Sequence, residues 1–362
     1  MKKFFFILSL MAVMFLNGCA STKYRFDYQE EKLDIVWPKA PDIPRYRYLG
    51  VINGDNNFRE IEGSEGLARR GLSWLGRFVF GEDEPRLLYR PQSGAMDDEA
   101  KRMFITDVGA KSLFVFDLVN NELDVWEGVD SETTFLSPIA VCLMSQNQIL
   151  VSDSDLGYVV LFDATGKNAA IIGENKLSRP TGLACNKNQK RFYVADSQTH
   201  KIHVFSIDGQ WLFEFGGKGA GEGSLNAPTH MAFANNNLVV SDTLNARVQI
   251  FNVEGKWLNS FGKRGMFVGN LPRPKGVAVD SEEHIYVVES YYDHLIVFDK
   301  AGKGLLPIGG NGNEPGKFYL PAGIWIDKND VIYVADMFNS RIMVFQYIKY
   351  DTGQNNKLER KL

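Results

Sequence analysis

The chain has 362 residues, 44% hydrophobic and 23% charged, with a formal net charge of −4. A sequence this apolar is not a disordered or low-complexity polypeptide, and an acidic balance argues against a nucleic-acid-binding face, which needs clustered cations. The length allows two domains or one large closed β fold.

At the N-terminus, Met1-Lys2-Lys3 precedes an apolar run from Phe4 to Leu16. That run falls short of the roughly 20 residues a membrane-spanning helix needs and has the pattern of an export signal. It ends in Leu16-Asn17-Gly18-Cys19, which resembles a bacterial lipobox, with Asn17 a less common residue at its position. The resemblance implies a signal peptide over 1–18 and acylation of Cys19 (a palmitate-type anchor). Ala20 stands where that family places Asp for inner-membrane retention, which points to the outer membrane, with the protein facing the periplasm or the outside. An ordinary cleaved signal is the alternative. Residues 19–44 are dotted with Trp37-Pro38, Ala40-Pro41 and Ile43-Pro44 and read as a semi-rigid tether. Its ~25 residues would reach up to ~80 Å when extended. The alternative is that the segment folds along the following domain, with Trp37 as its anchor.

Arg45 to Ile52 reads as a strand, and residues 53–88 as an insertion. Within the insertion, Leu67, Gly71, Trp74, Leu75 and Phe78 fall on one side of a helix over 66–81, with Arg69, Arg70 and Arg77 on other sides. Its glycines, Gly71 and Gly76 in the interior, weaken that helix by about 1 kcal/mol each. It reads as a lid on the domain or as a docking helix for a partner or a membrane.

From residue 91 onward one pattern recurs six times. A proline at 91, 138, 180, 228, 274 or 321 precedes, by 14 to 16 residues, an acid at Asp107, Asp153, Asp196, Asp242, Glu289 or Asp336. The acids are spaced by 46, 43, 46, 47 and 47 residues, and an apolar strand ending in an aromatic follows each. A further strand with a glycine exit, as in Trp211–Gly219, separates the copies. Four short strands per period of this length are the signature of propeller blades.

The residues resemble the NHL-repeat family. Pro180-Thr181-Gly182, Pro274-Lys275-Gly276 and Pro321-Ala322-Gly323 carry its P-x-G opening, and Tyr193–Asp196 and Tyr333–Asp336 its YVAD. Over residues 45–348 the resemblance implies an all-β, six-bladed β-propeller. The sixth repeat ends after three strands, so the N-terminal strand should complete its blade and hide an exposed edge. Residues 349–362 form a polar tail. Alternating strand direction then places the long connections on one face, including Gly216–Ala227 and Arg264–Pro272, and short polar turns on the other.

Long loops on a rigid scaffold are the default binding surface. The candidate contacts are Trp74, Tyr291, Tyr292, His294 and Phe338, with His230 and Lys275 nearer the axis. Aromatics there suit a protein or polysaccharide of the envelope or exterior, and packing beneath the insertion is the alternative. Asp242 with Arg247, and Asp336 with Arg341, read as structural sockets. Cys142 and Cys185 lie in the first strands of adjacent blades. Blades stack about 10 Å apart and a disulfide needs Cα atoms within about 7 Å, so two buried thiols are expected. No catalytic constellation, nucleotide fingerprint or metal-ligand set is found. The expectation is a non-catalytic binding or scaffold protein without a cofactor. The competing reading is a metal-dependent propeller lyase or hydrolase with its site at the central channel, which metal analysis would separate.

Overall fold

A computed structural model describes residues 24–29, 33–61, 84–129, 132–144 and 148–350. Each repeat folds as an antiparallel four-stranded sheet. In five of the six, the repeat's proline opens the first strand, where its missing N–H costs no ladder bond. Blade one comprises β5 (Pro91–Asp97), β6 (Arg102–Asp107), β7 (Ser112–Asp117) and β8 (Glu122–Trp126). Blade two comprises β9 (Pro138–Leu143), β10 (Ile149–Asp153), β11 (Tyr158–Phe162) and β12 (Ala169–Ile172). Blade three comprises β13 (Pro180–Asn186), β14 (Arg191–Asp196), β15 (Lys201–Ser206) and β16 (Trp211–Gly216). Blade four comprises β17 (Pro228–Ala234), β18 (Asn237–Asp242), β19 (Arg247–Asn252) and β20 (Trp257–Phe261). Blade five comprises β21 (Pro274–Val279), β22 (Ile285–Glu289), β23 (His294–Phe298) and β24 (Gly304–Gly309).

Blade six is built from both ends of the chain. β25 (Ile324–Ile326), β26 (Val331–Asp336) and β27 (Arg341–Tyr347) are completed by β3 (Tyr46–Ile52), which pairs Val51 with Met343 and Tyr48 with Phe345. Tyr46, Tyr48 and Ile52 are buried, as a closing strand requires. The hydrophobic core is a ring of six layers, one in each seam between neighbouring blades. Closing the ring therefore completes two of those layers as well as one sheet.

Near the axis the first strands converge. A Cβ at Gly276 would stand 2.7 Å from Ala322 O, and one at Gly323 would stand 2.2 Å from Gln92 O. The glycine of the P-x-G opening is thus required where backbone meets backbone across a seam. The same convergence corrects the expectation for the cysteines. Cys142 and Cys185 form a disulfide, with Cα atoms 6.0 Å apart. The 10 Å stacking distance holds for parallel sheets, whereas wedges arranged round an axis are closest at their inner strands.

A second correction concerns the tether. β2 (Val36–Trp37) adds a fifth strand outside β3, pairing Trp37 with Tyr46. The Trp37 ring meets Phe345 edge-on at 5.7 Å. β1 (Tyr24–Phe26) pairs with β4 (Phe58–Glu60), and Phe58 stacks on Phe116 at 6.1 Å. Residues 24–29 and 33–44 therefore lie along the propeller wall. The free energy of covering apolar rim surface outweighs the freedom a Pro-dotted linker would keep. The proposed helix over 66–81, with Trp74, lies outside the described residues. The ends of the insertion are stapled by Asp55, which accepts from Arg86 N and Nε at 2.7 and 3.1 Å.

Candidate functional site: the long-loop face

The repeat acids build this face. Each carboxylate is fully buried at the end of the second strand. Asp107 accepts from the backbone N–H groups of Tyr89 and Arg90, just before the first strand, and of Gly109 and Ala110 in the following turn. Asp153 and Asp196 repeat the arrangement. In blades four and six, Arg247 and Arg341 occupy the socket, each with Nε 2.8 Å from the carboxylate of Asp242 or Asp336. Their outer nitrogens donate to carbonyls of the preceding connection, at Ser224 and Lys317. One buried acid per blade thus fixes both the long connection and the turn between the second and third strands. Both segments lie on one face, as Asn245 Nδ2 donating to Gly219 O and Asn339 Nδ2 donating to Gly312 O require.

Four of the expected contact residues sit on this scaffold around blades five and six. Glu289 accepts from the backbone N–H groups of Tyr291 and Tyr292, presenting the two rings edge to face at 4.9 Å. Burial raises the Glu289 pKa against the lowering effect of those N–H groups. Tyr291 is 63% exposed and Phe338 48%. Phe338 packs against Tyr319 at 5.5 Å. The two aromatic pairs are tied together through buried Asp293, whose carboxylate accepts from Leu320 N at 2.8 Å. His294 opens β23, half-buried, with its pKa lowered chiefly by burial.

His230 and Lys275 lie deeper, at the mouth of the channel. Thr243 donates to Pro274 O at 2.9 Å, so Thr229 donates to Thr243 and the His230 Nδ1–H donates to Thr229 at 3.1 Å. That relay leaves Nε2 as a bare acceptor, buried and without a partner among the described residues. Burial pushes the His230 pKa down to about 3, with Lys275 adding to the effect. The Lys275 pKa is itself lowered by burial and by Arg273. Both residues sit on the expected face, with His230 more deeply buried than a contact residue would be.

The sequence reading missed the most exposed part of the face. Met266 is 83% exposed, Phe267 79% and Val268 63%. Leu271, later in the same connection, is buried, and its N–H donates to Lys263 O. Tyr89, Leu244 and Tyr319 are also exposed there. The available signal was an apolar triplet inside a Gly- and cation-rich connection. By contrast, the short turns of the opposite face show one exposed large hydrophobic, Val119, among the described residues. Also among the described residues, no group of three or more His, Cys, Asp or Glu is placed to hold a metal ion.

A model described as "6-bladed beta-propeller" matches residues 277–360, and one described as "NHL repeat" matches residues 177–205. The chain is a six-bladed β-propeller that carries an NHL repeat. It is 50% identical over 129 residues to RING finger protein nhl-1 of Caenorhabditis elegans, covering 34% of this chain and 13% of that protein. It is 32% identical over 72 residues to NHL-repeat-containing protein 4 of Homo sapiens, covering 20% of this chain and 57% of that protein. The chain thus spans only part of the length of each of these curated relatives. Among solved structures, an auxiliary nutrient binding protein from Bacteroides thetaiotaomicron aligns with a TM-score of 0.57 at 11% identity, covering 73% of this chain and 70% of that one. Virginiamycin B lyase from Staphylococcus aureus aligns at 0.53 and 15% identity, covering 72% and 95%. A chain of the nidogen/laminin complex aligns at 0.53 and 16% identity, covering 70% and 89%. Identities this low show a shared fold and nothing more.

Proposed function

We propose that this NHL propeller is a non-catalytic lipoprotein of the cell envelope, anchored in the outer membrane through Cys19, that captures a protein or polysaccharide on its long-loop face. The observation that supports this reading most directly is the asymmetry between the faces. Exposed aromatics and aliphatics gather on connections fixed by buried acids, whereas the opposite short turns expose one large hydrophobic, Val119, among the described residues. Presenting such groups on a rigid scaffold avoids the ordering cost that a flexible loop would incur on binding. Propellers of similar fold include a nutrient binding protein and a member of a protein–protein complex, which makes a binding role compatible with the architecture.

The test is crosslinking in intact envelopes from a photoreactive residue at Tyr291 or Phe338, with the same residue at Asn120 on the opposite face as control. One partner captured from the first two positions and not from the third is expected. The double variant Tyr291→Ala/Phe338→Ala should lower affinity for that partner by roughly tenfold or more while leaving the melting temperature unchanged. Equal capture from Asn120, or unaltered affinity in the double variant, would sink the proposal.

A further inference from the structure

On the opposite face, where blades five and six meet, the wall segment and the propeller enclose a cleft of about 770 Å³, within the size range of small-molecule sites. The proline-dotted stretch forms one side, with Pro38, Pro41 and Ile43. Leu305 and Leu306 from β24 form the other, and His284, Glu282 and Tyr347 stand at the polar end.

His284 is held there by a buried network. Asp280 is buried, and its Oδ1 accepts from the backbone N–H groups of Glu282 and His284 at 2.9 Å each. Its Oδ2 accepts from Tyr286 Oη and from His284 Nδ1, each at 2.8 Å. Tyr46 Oη lies 3.2 Å from Tyr286 Oη and extends the chain. In the neutral ring, a carboxylate accepting from Nδ1 fixes the proton there and leaves Nε2 as an acceptor. That nitrogen has no partner among the described residues, and its ring is braced edge-on by Tyr347 at 5.5 Å.

The repeat supplies an internal control. In blade six, Asp327 caps the equivalent turn and accepts from Tyr333, yet the position matching His284 is Val331. The turn therefore needs the acid and the tyrosine but not the histidine. His284 is an addition to the scaffold, and it lines the cleft that Pro38, Pro41 and Ile43 wall off.

We infer that this cleft is a ligand site for a primary ammonium carried on an apolar body. Its polar end offers three acceptors: His284 Nε2, the Asp42 carboxylate, and the Glu282 oxygen not engaged by Tyr347. Among the lining residues the cation is Arg45, drawn over the Tyr350 ring at 5.2 Å; Lys349, nearby, is paired with Asp330 at 2.5 Å. Acceptors in excess select a donor, two of them are carboxylates, and the aliphatic and proline walls take the rest of the ligand.

The test is calorimetric or NMR titration of the soluble form lacking its acyl group. Hexylamine should bind saturably and hexanoate should not. His284→Phe keeps the ring packing and removes the acceptor, and Glu282→Gln removes a charge. Each should weaken hexylamine binding by roughly fivefold or more, the value of one hydrogen bond. Tyr291→Ala/Phe338→Ala should leave it unchanged, which separates this site from the long-loop face. Nα-acetyl-lysine amide, run in parallel, tells a peptide lysine from a free amine as the ammonium's source. Should His284→Phe fail to fold, Glu282→Gln carries the test alone. Hexanoate binding as tightly as hexylamine, no saturable hexylamine binding, or unchanged affinity in the folded variants would overturn the inference.

Discussion

At His230 the surroundings choose the protonation state. Burial holds the imidazole neutral, with a pKa of about 3 against an ordinary 6.5. Between those values the unfolded chain binds a proton that the folded chain refuses, so stability falls as pH drops through that window. One proton corresponds to at most about 1.4 kcal/mol per pH unit. His230→Gln is therefore expected to flatten the acid limb of stability against pH, as read from urea midpoints between pH 7 and 4. Cys142 and Cys185 give a second test at this scale. Their bond closes a segment with a sequence separation of 43 and stitches blade two to blade three. Replacing both with serine should cost about 2–4 kcal/mol, measurable as a lower denaturant midpoint.

Among the elements, β2 and β3 do different jobs. β3 is the fourth strand of blade six, and its buried tyrosines belong to the seam with blade five. A chain begun at Asn53 would expose the edge of β27, and it is expected to aggregate where a chain begun at Arg45 stays monomeric, as sedimentation would show. β2 contributes through Trp37, half-buried against Phe345. Trp37→Ala should destabilise the fold by about 1–2 kcal/mol, less than a fully buried tryptophan would. No change in the unfolding midpoint would mean that the segment is a free linker after all.

For the whole molecule, packing of the wall segment alters the geometry that the proposed lipid anchor would have. The sequence allowed a tether of up to ~80 Å. With Tyr24 already paired on the rim, an acyl chain on Cys19 would stand at most about 17 Å from the propeller. Phe26 N donates to Asn121 in a short turn of blade one at 2.8 Å, so the chain reaches the rim on the short-turn side. The long-loop face would then be turned away from the membrane. Cys19→Ala is expected to move the protein from the membrane fraction to the soluble fraction, and retention in the membrane would refute lipid anchoring at that residue.

The sequence alone determined what depends on local chemistry repeated six times. Proline at strand starts, the acid ending each second strand and the aromatic closing each third strand specify a blade, and a sixth repeat lacking its last strand specifies how the ring closes. The sockets of Asp242 with Arg247 and Asp336 with Arg341 were legible because their partners lie five residues apart. Tertiary structure decided what depends on the convergence of wedges about an axis and on surfaces distant in sequence. That convergence brings Cys142 to Cys185 and buries His230 beyond easy contact. It was also only in the folded ring that residues 33–44 found an apolar rim to cover, and in covering it they made the wall of the cleft that His284 faces.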